Sequence, residues 1–196
     1  MNQLAQIDEA LVLWLNAFVG RSALLDSVME ALVSDYLVPV LSSLVLLGLW
    51  FSGTSDAERY RNQLVTLTGG IAVGFANALV TMANLLTFRN RPFVDLDINL
   101  YFYAPTDSSF PANPASVGFA IATVVWVRHR RFGAALYVLA SLWGLARVYA
   151  GVHYPTDIFA GAIVGVIAAL LAAALVQRLA FIPRHVFKAF RAVYIA

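Results

Sequence analysis

Cysteine is absent from the 196 residues, which excludes a disulfide framework and any thiolate metal site. Charge is scarce. Asp, Glu, Lys and Arg make up only 12% of the chain, where soluble domains carry about 25%. No internal repeat or low-complexity tract interrupts the sequence, so a single domain is expected. Residues 1–10 lack a basic region and carry Asp8 and Glu9, so this segment is not expected to be a cleaved signal peptide. The sequence pI is near 9.1, yet the basic residues form no single patch, which argues against a nucleic-acid partner.

Hydrophobic residues are plentiful, at 61%. Two amphipathic segments come first, at 5–19 and 22–36. Ile7, Leu11, Trp14, Leu15 and Phe18 recur at helical spacing in the first, with Asp8, Glu9 and Asn16 on its polar side. Asp26, Glu30 and Asp35 play that part in the second. Both are short and polar for a span, which takes about 20 apolar residues. They are expected to lie at the membrane interface or to pack on the bundle. Five apolar stretches follow, at 37–51, 63–88, 114–127, 132–152 and 156–182. The first and third are short and are expected to extend into their flanks. The longest loop is expected at 90–113.

These patterns predict an all-α polytopic membrane bundle of about five transmembrane helices plus N-terminal amphipathic helices. As one domain it divides into interfacial helices at 1–36, a transmembrane core at 37–182 and a basic tail at 183–196. Arg59 and Arg61, then Arg128, Arg130 and Arg131, then Arg178, Arg184, Lys188 and Arg191 fall on one face, 9 of the 13 basic residues. That face is expected to be cytoplasmic, in the cell (inner) membrane, with the tail on the inner leaflet. The opposite face holds Arg21, Arg89, Arg91 and Arg147 with nine of the eleven acidic residues.

Three polar clusters meet on that outer face. The first is Arg89, Asn90, Arg91 and Pro92. The second runs from Ser108 and Ser109 through Pro111, Ala112 and Asn113 to Pro114. The third holds Arg147, Tyr149, His153, Tyr154, Pro155, Thr156 and Asp157. An arginine fork matches a phosphate, a neutral imidazole can attack phosphorus, and a carboxylate can fix its tautomer. Pro155 suits the first position of the fifth helix, whose N-terminus would attract an anion. The same residues also fit an interfacial hydrogen-bonded pair and a snorkelling arginine. Residue types alone leave both readings open.

The ordered pattern resembles the type 2 phosphatidic acid phosphatase family, which shares its pocket with vanadium haloperoxidases and bacterial acid phosphatases. The family pattern is Lys-x6-Arg-Pro, then Pro-Ser-Gly-His, then Ser-Arg-x5-His-x3-Asp. The third motif here reads from Ala146 and Arg147 through Val-Tyr-Ala-Gly-Val to His153, then Tyr-Pro-Thr and Asp157. The resemblance spans roughly 63–176. It implies that His153 is the nucleophile, Asp157 its orienting partner, and Arg91 and Arg147 phosphate ligands. Asn84 falls where the family lysine stands, and Ala146 where a serine is usual. The second motif is aligned with Pro111-Ala112-Asn113-Pro114, so the leaving-group acid is a proline with no proton and no backbone N–H to give. Asn84 and Asn113 remain as neutral phosphate-pocket candidates. Asn113 is expected to cap the third span and Pro114 to be its first residue.

A lost general acid costs about 10²–10⁴-fold in rate. Two function classes are therefore carried forward. The first is a non-catalytic pseudoenzyme, binding a lipid phosphate headgroup or serving as a structural subunit beside membrane-protein partners. The alternative is a weakened lipid phosphatase, acting on polyprenyl or other lipid diphosphates at the extracytoplasmic face through a phosphohistidine. A diphosphate leaves as a stable phosphate and needs the acid less. No cofactor and no metal is expected, and vanadate chemistry is disfavoured by the missing lysine and histidine. Trp14, Trp50, Trp126 and Trp143 read as interface anchors or packing. Gly161 and Gly165 read as a small-residue helix contact, His129 and His185 as cytoplasmic surface groups, and Asp95, Asp97 and Asp107 as a solvated acidic loop.

Overall fold

The computed structural model describes residues 3 to 179. The expected tail at 183–196 and the end of the fifth apolar stretch lie outside the described residues. Eight helices and no strand occur among the described residues. Helices α1 (Gln3–Asn16) and α2 (Ala23–Val33) are short, as expected. They lead into α3 (Leu37–Phe51) and the long α4 (Asp56–Leu86). A single-turn α5 (Pro92–Asp95) sits in the loop before α6 (Asn113–Arg128), followed by α7 (Arg130–Tyr149) and α8 (Pro155–Arg178).

Local chemistry sets these ends. The Ser55 hydroxyl accepts from the Glu58 N–H, and Asp56 and Glu58 lie in the first turn of α4, where the helix dipole favours negative charge. Pro155 opens α8 as expected. The start of α6 differs from expectation. Ala112 is the capping residue, its carbonyl accepting from Ser116 N at 3.1 Å, so Asn113 is already helical. The Asn113 amide is engaged instead with Asn77 Oδ1 at 3.0 Å.

Helix α6 sits at the centre and packs against α4, α7 and α8, while α3 lies on α4. Ala72, Ala76, Ala120, Ala168, Ala169 and Ala172 form the core where α4, α6 and α8 meet. Small side chains let these backbones approach closely. Gly161 and Gly165 do so as expected of a small-residue contact. A Cβ on Gly161 would fall 2.3 Å from the Ala112 carbonyl oxygen, and one on Gly165 2.3 Å from that of Ser116.

The chain is an integral membrane protein with several candidate spans. Among the described residues α4, α7 and α8 are long and apolar enough to cross a membrane, and α2 with α3, bent by 57°, passes as a fourth. About five spans were expected. The difference lies in α3 and α6, which have 15 and 16 residues and do not extend into their flanks. At 1.5 Å per residue α6 is about 24 Å long, short of a hydrocarbon core of about 30 Å. Its C-terminus stops at His129, which also begins α7. Being surrounded by three other helices, α6 has little need to meet lipid along its length.

The N-terminal helices are turned the opposite way from helices on a soluble protein. Asp8, Asn16 and Asp26 are buried, with Asp8 only 3% exposed, while Leu4, Ile7 and Trp14 face outward, Trp14 at 60%. α1 packs on α7 and α8, and α2 on α7. Asn16 donates to the Tyr149 carbonyl at 3.0 Å and accepts from Asn99 N at 2.8 Å. The Tyr149 hydroxyl donates to Asp26. Their polar faces thus grip the protein and their apolar faces are left for lipid.

Candidate functional site

The antiparallel order of α4, α6, α7 and α8 brings the three polar clusters to one end of the bundle. There they enclose a cavity of about 150 Å³. His153, Arg91, Arg147, Asn84, Asn113 and Pro114 all line it. Asp157 stands behind His153, fully buried.

His153 follows the turn after α7, and Tyr154 and Pro155 start α8 immediately after it. Its Nδ1 is 2.9 Å from the Ser109 carbonyl oxygen. A carbonyl only accepts, so Nδ1 carries the proton and Nε2 keeps its lone pair. That lone pair points at Arg91 Nη1, 3.2 Å away. Burial holds the imidazole below the ordinary histidine value, Asp157 pulls it back up, and Arg91 and Arg147 push it down again. A neutral ring at neutral pH is the form able to attack phosphorus.

Asp157 approaches the same ring but does not bond it directly. Its Oδ2 is 3.9 Å from His153 Nδ1, outside hydrogen-bond range. That oxygen accepts instead from the Ser109 hydroxyl and from Tyr154 N at 2.8 Å. The other oxygen accepts from Arg89 Nη1 at 2.6 Å. Ser109 therefore joins the two residues, its hydroxyl on the carboxylate and its carbonyl on the imidazole.

The two pocket arginines are held differently. Arg91 is buried and donates to the Val152 carbonyl at 2.9 Å, the Asp107 carbonyl at 3.2 Å and the Asp107 carboxylate at 2.7 Å. Arg147 is buried between the rings of Phe102 and Trp143, at 4.7 and 5.6 Å. One of its terminal nitrogens donates to Asp35, and its Nε is buried without a partner. Asn84 Oδ1 is likewise buried without a partner. An unpaired buried donor such as Arg147 Nε, like an unpaired buried acceptor such as Asn84 Oδ1, is costly unless a ligand or water satisfies it. Two permanent cations and an aimed imidazole compose a seat for a phosphate-sized anion. The start of α8 is not part of it, since Thr156 N donates to Asp8 and Tyr154 N to Asp157.

Four contributors were not assigned from the sequence. Asp35 comes from the α2–α3 connection, 112 residues from its partner Arg147. Asp107 faces the cavity and pairs with Arg91, so it is not merely a solvated loop residue. Arg89 grips Asp157, and Asp8 of α1 grips Arg89 at 2.8 Å. No local pattern marks these pairs, because each joins distant segments.

The model of the PAP2 superfamily matches residues 65–181. The chain belongs to the PAP2 superfamily. Undecaprenyl-diphosphatase BcrC of Bacillus subtilis is 30% identical over 151 residues, covering 77% of this chain and 75% of that protein. The crystal structure of Aquifex aeolicus LpxE superposes with a TM-score of 0.64 at 29% identity, over 86% of this chain and 95% of that one. A transmembrane PAP2-type phosphatidylglycerolphosphate phosphatase from Bacillus subtilis also gives 0.64, at 23% identity over 91% and 88% of the two chains, a likeness of fold. Helices α1 to α3 and the connection that carries Asp35 precede the matched region.

Proposed function

We propose that this chain is a lipid diphosphate phosphohydrolase that works through a phosphohistidine on His153. The observation that carries the reading is the His153 tautomer. The Ser109 carbonyl accepts from Nδ1–H, and the Nε2 lone pair, which accepts from Arg91 Nη1 at 3.2 Å until phosphate draws that arginine away, belongs to a cavity lined by Arg91 and Arg147. The similarity to BcrC supports a polyprenyl diphosphate as the substrate class. It also supports the catalytic reading over the pseudoenzyme reading, which the departures from the family pattern had put first.

In the first step Nε2 attacks the terminal phosphorus and the bond to the bridging oxygen breaks. The lipid monophosphate departs with that oxygen as an anion and needs no proton from Pro114. The charge gained by the imidazole faces Asp157 and the Ser109 carbonyl. Arg91 and Arg147 stabilise the equatorial oxygens. In the second step water attacks the phosphohistidine, inorganic phosphate leaves, His153 recovers its lone pair, and one proton passes to solvent. The Asp35 and Asp107 carboxylates must give up the arginines as the phosphate enters. Basic residues at the opposite ends of α4, α6, α7 and α8 support an extracytoplasmic pocket.

The test is phosphate release by purified protein in lipid micelles, from a polyprenyl diphosphate and a lipid monophosphate, beside His153→Ala. Release from the diphosphate that His153→Ala abolishes, with an acid-labile phosphoenzyme trapped on quenching, is the expected result. Equal release by wild type and His153→Ala overturns it. The pseudoenzyme reading rests on the altered positions of the cavity wall, Asn84 where the resemblance has a lysine and Pro114 where it has a histidine. It prevails if lipid phosphate binds without turnover.

A further inference from the structure

Arg89 is not among the residues that line the cavity, yet it is the most heavily engaged side chain behind it. Its Nη1 donates to Asp157 Oδ1 at 2.6 Å and to the Thr156 hydroxyl at 2.8 Å. Its Nη2 donates to Asp8 Oδ2 at 2.8 Å. The guanidinium also lies 4.0 Å above the Tyr154 ring. Asp8 completes the connection by accepting from the Thr156 hydroxyl and from Thr156 N at 3.0 Å. One carboxylate of α1 thus caps α8 and shares an arginine with the carboxylate behind His153.

We propose that Arg89, braced by Asp8 of α1, is a positioning residue that governs how much of the Asp157 charge reaches His153. The inference rests on the proposed role of His153. The physical reason is competition for one anion. Asp157 lies 3.9 Å from His153 Nδ1 and 2.6 Å from the guanidinium. A cation in direct contact partly cancels the carboxylate that would otherwise favour imidazolium. Asp8 draws part of the Arg89 charge away, so the two residues act in opposite senses. Burial lowers the Arg89 value, but Asp8 and Asp157 outweigh it and leave the guanidinium above its ordinary value, charged at every working pH. Every charged group around His153 enters the balance. Arg91, Arg147 of α7 and Asp157 of α8 act on it directly. Asp107, Asp35 and Asp8 act through the arginines they hold. Asp8 precedes the region shared with the superfamily, so this setting of the site belongs to the N-terminal helix of this chain.

The test titrates His153 in the full-length protein in micelles by ¹⁵N-histidine NMR. Its signal is the one lost in His153→Ala. Arg89→Gln is expected to raise the His153 midpoint by about one pH unit, since an opposite charge beside a titrating group is worth one unit or more. Arg89→Lys keeps the charge and is expected to leave the midpoint within a few tenths. Asp8→Asn is expected to lower it. The acid limb of the kcat/KM profile for a polyprenyl diphosphate should move with the midpoint, because only the neutral ring attacks. A purely structural role for Arg89 would instead depress the rate equally at every pH. An unmoved midpoint in folded Arg89→Gln overturns the inference. Should that variant fail to fold, Asp8→Asn decides alone, and an unmoved or raised midpoint refutes it. A wild-type protein that titrates and shifts as stated but releases no phosphate would sink the proposed function and spare the charge balance.

Discussion

Pro114→His restores a proton donor to the cavity wall, and its effect separates the two substrate classes. Position 114 lies in the first turn of α6 and lines the same cavity as His153, Arg91 and Arg147. The backbone there tolerates the change. The first four N–H groups of a helix lack intrahelical partners, so a histidine at this point breaks no bond and adds a donor. A general acid contributes about 10²–10⁴-fold, or roughly 3–5 kcal/mol of barrier. That gain depends on the leaving group. A lipid alkoxide needs the proton, whereas a phosphate departs as a stable anion. Pro114→His is therefore expected to raise kcat for a lipid monophosphate by about 100-fold or more and to change diphosphate turnover several-fold at most. The assay is phosphate release from both substrates, with a thermal melt to establish that the variant folds. Equal gains on both substrates would refute the leaving-group reasoning. No gain on either, in a folded variant, would show that the cavity does not hold the substrate in line with position 114.

Gly161→Ala is expected to force α8 off α6, because the new Cβ would meet the Ala112 carbonyl at 2.3 Å. Overpacking of this kind costs about 1–3 kcal/mol and should lower the melting midpoint in micelles by several degrees. It should also reduce activity, since Ala112 N donates to the Asp157 carbonyl at 3.0 Å. Tyr149→Phe removes the hydroxyl that donates to buried Asp26. A hydrogen bond to a charged group is worth about 1.5–3 kcal/mol, so α2 should loosen, seen as faster amide exchange in 23–33 than in α8. An unchanged exchange pattern would refute that role. Acidification should also destabilise the fold. Burial lowers His129 and His153 below the ordinary histidine value, so the unfolded chain binds protons that the folded one refuses. Stability is then full above about pH 6.5 and falls as the pH drops below it. A midpoint at pH 5.5 equal to or above that at pH 7.5 would contradict this.

On the proposed reading, the departure of residues 112 to 114 from the resemblance's second motif leaves the rest of the site in place. Ser109, not the altered residues, links Asp157 to His153 through its hydroxyl and its carbonyl. Replacing residues 112 to 114 changes one wall of the cavity and leaves that linkage whole. A chain whose substrate leaves as a phosphate can lose the wall's acid and keep the nucleophile. Asp35 and Asp107 give the pocket arginines counter-charges from the protein itself. Buried guanidiniums without such partners would carry the full cost of desolvation.

By itself the sequence determined the features that depend on neighbours along the chain. Apolar runs marked α4, α7 and α8, proline placed the start of α8, and the spacing of Arg147, His153 and Asp157 set three chemical groups around one helix entry. The alternation of basic and polar clusters put the candidate pocket at one end. Helix periodicity and capping are local, so a linear reading reaches them. The tertiary structure alone decided which way the N-terminal helices face and what holds the site from behind. Asp8 meets Arg89 across 81 residues and Asp35 meets Arg147 across 112. An acidic residue on an amphipathic helix has the same local signature whether it faces solvent or a buried arginine. In a membrane protein lipid takes the apolar face, so polar residues turn inward, and only the packed fold shows which cation each one finds.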